Sequence, residues 1–174
     1  PIVYGPNAKP AFEAHIATDG EEFKVGNITL KVLHTPGHTM ESTCYLLKDE
    51  NGKEAGLFSG DTLFIGDVGR PDLAQKVASD LTQDKLAGNL FDSLRSKIMP
   101  LADDIIVYPA HGAGSACGKN MSKATTDTLG HQKETNYALR ANMTKEEFIK
   151  EVTTGLVAPP AYFPLNVMMN IQGY

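Results

Sequence analysis

Three residues that commonly bind metals follow apolar runs at widely separated points of the chain. His38 stands in "HTPGHT", Asp61 in "LFSGDTLF" and His111 in "VYPAHGAG". A glycine beside each lets the backbone turn sharply. Two imidazoles and a carboxylate are the ligand set of a facial-triad iron site or of a catalytic zinc site. Taken singly, each residue is more often an ordinary polar or turn residue, so spacing alone does not show that the three converge.

The composition is that of one globular domain with a core of its own. The chain has 174 residues, of which 41% are apolar and 21% charged, and these are ordinary values. The net charge of −5 argues against a general affinity for nucleic acid, which needs basic surface. No apolar run approaches the roughly 20 residues of a membrane helix. Two cysteines are too few for a disulfide scaffold, so we expect a cytoplasmic location and no membrane partner.

The stretches that must position these residues have β-type patterns. "EEFKV" and "ITLKVLHT" alternate around Gly26-Asn27, which predicts a β-hairpin. Four apolar residues in a row, Ile105 to Tyr108, predict a strand buried on both faces. Strands that come first and then mix with helices favour a layered α/β sandwich over a doubly wound sheet.

The helix predictions rest on periodicity and on capping. Leucine or isoleucine recurs every four residues from Leu86 to Ile98, which predicts a helix from Ser79 to Met99. Thr144 and Glu147 stand at capping-box spacing before a second helix. The proline-rich tail "GLVAPPAYFPLNV" predicts an ordered loop.

The motifs resemble those of a known family. "TPGHT", "SGDTLF" and "PAHG", in this order, are similar to the later motifs of the metallo-β-lactamase superfamily. "GDTLFIGDVGRPDL" and "HGAGSACG" look closest to persulfide dioxygenases, especially bacterial forms fused to rhodanese domains, with glyoxalase II the next closest relative. The resemblance covers nearly the whole chain. It implies an αββα sandwich with a metal cleft at one edge, and residues 1–174 as a single partial domain of this kind.

The resemblance also implies metal ligands. Persulfide dioxygenases hold one non-haem Fe(II) with two histidines and one aspartate, and the motif match makes His38 and Asp61 two of these ligands. In the dinuclear zinc relatives the equivalent of Asp61 bridges two metals and the equivalent of His111 binds the second. In the iron enzymes that last histidine lies near the site without ligating the metal.

One family motif is missing from the chain. The superfamily carries a His-x-His-x-Asp-His motif upstream of the others, and His15, His34 and His131 stand in no such pattern. We therefore expect a fragment of the catalytic domain without its N-terminal strands. With two of three iron ligands, it should bind Fe(II) or Zn(II) weakly or not at all, with His111 as a candidate third donor, and should be inactive alone.

Two further residues are candidates for the cleft. The Arg70 guanidinium could bind a carboxylate of the family substrate, glutathione persulfide, in bidentate fashion. A salt bridge to Asp67 or Asp72 is an equally good interpretation. Cys117, in a loop rich in glycine and serine, could present a thiol to the cleft or could be a small buried side chain.

The resemblance and the missing motif together leave three alternative functions. The first is Fe(II)-dependent oxidation of glutathione persulfide by O₂ to sulfite and glutathione, in a parent protein that could carry a fused rhodanese domain. The second is zinc-dependent hydrolysis of a thioester, as in glyoxalase II. The third is a non-catalytic fragment that forms a homodimer through an exposed sheet edge.

Overall fold

A six-stranded sheet forms the centre of the molecule, which a computed structural model describes over residues 2–74 and 81–173. The strands are β1 Val3–Tyr4, β2 His15–Ile16, β3 Glu22–Val25, β4 Ile28–His34, β5 Thr43–Lys48, β6 Glu54–Gly60, β7 Leu63–Phe64, β8 Asp67–Val68, β9 Ile106–Pro109 and β10 Asp127–Thr128. The six strands lie in the order β10-β9-β6-β5-β4-β3, while β1 pairs with β2 and β7 with β8.

Helices account for much of the second half of the chain. They are α1 Gln83–Ser93, α2 Leu129–Thr135, α3 Lys145–Thr153 and α4 Phe163–Gln172. The first continues into a π-helical turn at Leu94–Ile98, and a 3₁₀ turn at Tyr137–Leu139 follows the second. No helix in the described ranges is both long enough and apolar enough to cross a membrane.

Strand direction brings three loops to one edge of the sheet. β4 and β6 are each antiparallel to β5, and β9 is parallel to β6. The strands β4, β6 and β9 therefore run in the same direction, and their carboxyl ends meet at one edge. The predicted hairpin of β3 and β4 is confirmed, with Val25 paired to Ile28 and Gly26 at φ +61° in the turn.

One face of the sheet packs against α1 and α3. Phe91 of α1 and Phe148 of α3 meet edge to face at 5.4 Å, and the core that they join includes the buried sheet residues Leu46, Leu57 and Val107. The predicted capping box is confirmed, because Thr144 and Glu147 bond to each other's backbone amides. This sheet and its helices form one β layer and one α layer.

The first long helix begins later than its leucine pattern predicts. Gln83 is its first residue, and the side chain of Thr82 accepts a hydrogen bond from the amide of Lys85. Such a cap satisfies one of the free amides at a helix start. The predicted residues 79 and 80 lie outside the described ranges, and residues 81–82 are not helical.

Two structural predictions are wrong in part. The strand at Ile105–Tyr108 is buried on one face only, because Tyr108 is 40% exposed and stacks at 5.4 Å on Phe58, which is 43% exposed. The proline-rich tail is not all loop, since α4 begins at Phe163. Pro164 fits its first turn, where no amide hydrogen is needed.

Candidate metal centre at the sheet edge

His38 and Asp61 form the centre of the candidate site. The Nε2 atom of His38 lies 3.2 Å from Oδ2 of Asp61, and the Nδ1 atom lies 2.8 Å from the carbonyl oxygen of Arg70. A carbonyl oxygen can only accept, so Nδ1 carries the hydrogen. In the neutral ring, Nε2 then points its lone pair at a carboxylate. Two acceptors at this distance repel each other unless a proton or a metal ion lies between them, so the pair is a candidate site for a cation.

His111 approaches the second oxygen of the same carboxylate. Its Nε2 atom is 3.4 Å from Oδ1 of Asp61, and its side chain is 42% exposed. Burial by itself would raise the pKa of Asp61, but the hydrogen bond from His38 and the charges of His38 and His111 together hold that pKa below its usual value. Asp61 is therefore ionised at neutral pH, with an imidazole facing each oxygen.

Cys117 completes a group of three donors. One ligand atom from each of His38, Asp61 and Cys117 lies within 4.8 Å of the others. Burial is the main cause that raises the pKa of the Cys117 thiol, and the nearby Asp61 carboxylate raises it further. The thiol is therefore protonated at neutral pH in the protein without metal, and it would lose its proton on binding a metal ion.

Hydroxyl and glycine contacts hold the His38 and Asp61 loops together. The hydroxyls of Thr35 and Thr62, both fully buried, lie 2.8 Å apart. Gly69 passes so close to the site that an added Cβ would lie 1.9 Å from the carbonyl oxygen of Asp61 and 3.0 Å from Nδ1 of His38. Neither contact was predicted from the sequence, although a glycine next to Arg70 and two residues after Asp67 was an available signal.

Replacing Gly69 with Ala should therefore disturb the site and the fold together. The clash is with backbone, which cannot move aside as a flexible side chain would, and we expect a loss of about 1–3 kcal/mol in the free energy of unfolding. Urea unfolding measures it. The control is Gly112→Ala, where nothing lies within 4 Å of the added Cβ, so its stability should match the wild type. Equal stability of the two variants would contradict the close approach.

Arg70 forms a buried ion pair. The residue is 4% exposed, and its Nε and Nη2 atoms donate to the two oxygens of Asp72 at 2.6 and 2.7 Å. Further hydrogen bonds reach the carbonyl oxygens of Ala116 and Val157. Of the two acidic partners considered, the structure pairs Arg70 with Asp72 and not with Asp67. A contact between Arg70 and substrate stays a prediction, and it would require the guanidinium to leave these partners.

The other three histidines have partners of their own. His34 bonds to the carbonyl oxygen of Met40 at 2.9 Å, His15 lies 2.6 Å from Glu21 and His131 lies 2.6 Å from Asp127. Within residues 2–74 and 81–173, the one group of three or more candidate ligands that converge is His38, Asp61 and Cys117.

The donors fit a small divalent ion. Nitrogen, oxygen and sulfur donors bind zinc at roughly 2.0–2.3 Å, which puts two donors of one ion roughly 3–4 Å apart. The separations of 3.2 and 3.4 Å around Asp61 are of this size. His38 and Asp61 would hold the ion, with Cys117 or His111 as third donor.

Solved structures share this architecture across the chain. A metallo-β-lactamase from Staphylococcus aureus matches 98% of the chain and 48% of its own length, with a TM-score of 0.82 and 40% identity. The chain has the metallo-β-lactamase fold. ETHE1 from Myxococcus xanthus matches 97% of the chain and 64% of its own length, with a TM-score of 0.73 and 27% identity. These likenesses support membership of the metallo-β-lactamase superfamily.

Curated proteins are similar to the chain in sequence as well. Hydroxyacylglutathione hydrolase GloC from Haemophilus influenzae is 34% identical over 58% of the chain and 42% of its own length. The chain spans between 38% and 48% of the lengths of the curated relatives that it matches. No protein-family model matches it. The predicted fold class is confirmed.

Proposed function

We propose that this chain contributes His38 and Asp61 to the iron site of a persulfide dioxygenase of the metallo-β-lactamase fold. The observation that carries the proposal is the position of the His38 Nε2 atom, 3.2 Å from the ionised carboxylate of Asp61, while Nδ1 is bound to the carbonyl oxygen of Arg70. The resemblance of the motifs to those of persulfide dioxygenases, together with the likeness to ETHE1 over 97% of the chain, supports this choice of activity.

The proposed reaction balances. Glutathione persulfide, O₂ and water give glutathione, sulfite and two protons, so the two sulfur atoms of the persulfide together lose four electrons and O₂ gains four. Iron, when bound, supplies the electron exchange between sulfur and oxygen. The residues of this chain bind and orient: the Arg70 carbonyl keeps the hydrogen of His38 on Nδ1, and the low pKa of Asp61 keeps its charge available.

A second candidate is a zinc-dependent thioester hydrolase. The observation that favours it is the position of Asp61 between the imidazoles of His38 and His111, at 3.2 and 3.4 Å, because this arrangement suits a carboxylate shared by two metals. The similarity to a hydroxyacylglutathione hydrolase supports it as well. Here zinc would supply a hydroxide at neutral pH.

Two assays separate the candidates. The chain, and a longer form that carries additional upstream residues, are loaded with Fe(II) or with Zn(II). They are then given glutathione persulfide in an oxygen electrode or S-lactoylglutathione in a hydrolysis assay. We expect iron-dependent oxygen uptake with the persulfide, weak or absent in the chain alone. Hydrolysis with zinc and no oxygen uptake with iron would replace the first candidate by the second.

Other expectations stay predictions. They are self-association through a sheet edge, a fused rhodanese domain in the parent and binding of a glutathionyl group. Edge strand β3 carries the exposed Val25, so light scattering of the purified chain tests the first of them directly.

A further inference from the structure

The carboxylate of Asp67 is a buried charge that the proposed chemistry does not use. It lies in β8, directly before the segment with Gly69 and Arg70, and is fully buried. Among the described residues it forms no ion pair. A buried carboxylate is costly unless hydrogen bonds satisfy it, so its partners indicate what it does.

Those partners come mainly from the loop that carries Cys117. Oδ2 of Asp67 accepts from the amides of Lys119 at 2.5 Å and Asn120 at 2.6 Å. Oδ1 accepts from the hydroxyl of Tyr137 at 2.9 Å and from the amide of Val68 at 2.8 Å. Hydrogen bonds to a charged acceptor are stronger than neutral ones, so this side chain is a strong attachment point for residues 119 and 120 of the loop.

A second contact joins the same loop to the candidate metal centre. The amide of Arg70 donates to the carbonyl oxygen of Cys117 at 2.9 Å, and the carbonyl of Arg70 accepts from His38. Gly118 lies between these two attachments, and a Cβ there would come within 3.1 Å of Oδ2 of Asp67. Cys117 is therefore held on one side by Arg70 and on the other by the amides bound to Asp67.

We propose that Asp67 is a positioning residue that holds residues 117–120 in place and so keeps the Cys117 thiol beside His38 and Asp61. The placement of the thiol stands on the geometry alone. Its consequence for metal binding rests on the proposed function. Opening of this loop would release Cys117 without unfolding the core, as local openings do in other proteins.

Thiol labelling tests the placement, with Cys44 as an internal reference. Cys44 is fully buried in β5, so it reacts only when the core opens. Asp67→Asn keeps the shape but turns the charged oxygens into an amide. We expect the rate of labelling of Cys117 relative to Cys44, followed by mass spectrometry, to rise about tenfold or more, the size expected when hydrogen bonds to a charged group weaken.

The matched control leaves the loop amides bound. Tyr137→Phe removes one hydrogen bond to Oδ1 of Asp67 but neither of those to Oδ2, so the labelling ratio should stay at the wild-type value. If Asp67→Asn does not fold, Gly118→Ala crowds the same contact from the loop side and should raise the ratio in the same direction. An unchanged ratio, or equal acceleration of both cysteines, would overturn the proposal, because the residue would then act on the whole fold.

Metal titration separates this proposal from the proposed function. If the loop is held by Asp67, Asp67→Asn should also weaken Zn(II) binding by about 10-fold, within the range that supporting residues of metal sites show. Failure of both the chain and the longer form to take up iron or to consume oxygen would count against the proposed function, while a raised labelling ratio would still support the positioning role. An unchanged metal affinity beside a raised ratio would overturn the link between this loop and the metal.

Discussion

Replacing Asp61 with Asn should weaken binding of Zn(II) or Co(II) to the chain by about 100-fold or more, because a neutral amide replaces the central anionic donor. Both carboxylate oxygens face imidazole nitrogens, at 3.2 and 3.4 Å, so no other residue of the cluster can substitute for it. Competition with a chromophoric chelator measures the affinity of variant and wild type. Since the chain offers few donors, wild-type binding itself should be weak.

The control changes a histidine outside the cluster. His131 lies on the exterior, paired with Asp127, and His131→Asn should leave the metal affinity unchanged. Equal affinity of Asp61→Asn and wild type would contradict the proposed site. A stoichiometric metal that survives dialysis of the wild type would show that the chain has more donors than His38 and Asp61.

Cobalt binding also identifies the third donor. A thiolate bound to Co(II) gives a charge-transfer band in the near ultraviolet, and a bound imidazole does not. If Cys117 is the donor, Cys117→Ser removes the band and weakens binding, whereas His111→Ala leaves both unchanged. If His111 is the donor, as the sequence suggests, the wild type shows no such band.

Replacing Arg70 with Ala should lower the free energy of unfolding by about 3–5 kcal/mol, the usual cost of removing one partner of a buried ion pair. The reason is the charge left behind, because Asp72 is only 7% exposed and would lose both of its hydrogen bonds from the guanidinium. The carbonyls of Ala116 and Val157 lose a donor as well. Urea unfolding measures the loss, provided that the m value, the slope of the free energy of unfolding against urea concentration, is the same for variant and wild type.

The double variant Arg70→Ala with Asp72→Ala is the matched control. It removes the stranded charge, so it should be more stable than Arg70→Ala alone even though two residues are changed. The alternative, a contact with substrate, makes a different prediction: in an intact, active enzyme Arg70→Ala would raise the KM for glutathione persulfide, and it would leave stability unchanged. That result would overturn the structural role of the pair.

Much of the architecture could be predicted from local sequence signals. The β3–β4 hairpin followed from two alternating runs around Gly26, and the capping box of α3 followed from Thr144 and Glu147. Both features depend on residues close together in the chain. The prediction that Tyr108 is buried was wrong. Four apolar residues in a row do not reveal that one face of the strand is partly exposed to solvent.

The site was predictable only in outline. Three potential metal ligands, each following an apolar run, indicated which strand ends would present side chains to a site. Strands β4, β6 and β9 run in the same direction, and this explains why His38, Asp61 and His111 converge at one edge of the sheet. Cys117 was recognised as a candidate cleft thiol but not as a donor near His38 and Asp61. Its position depends on bonds to Arg70 and Asp67, which lie about fifty residues earlier in the chain.

The sequence by itself therefore determined the elements and the kinds of donor, because strand alternation, capping and turn glycines act over a few residues. Only the tertiary structure decided which partners those donors have. Arg70 had two acidic neighbours in sequence, and packing paired it with Asp72 while Asp67 bound the amides of the Cys117 loop. Local propensities are almost the same for either pairing. The choice depends on which arrangement satisfies every buried polar group at once, and that is a property of the whole fold.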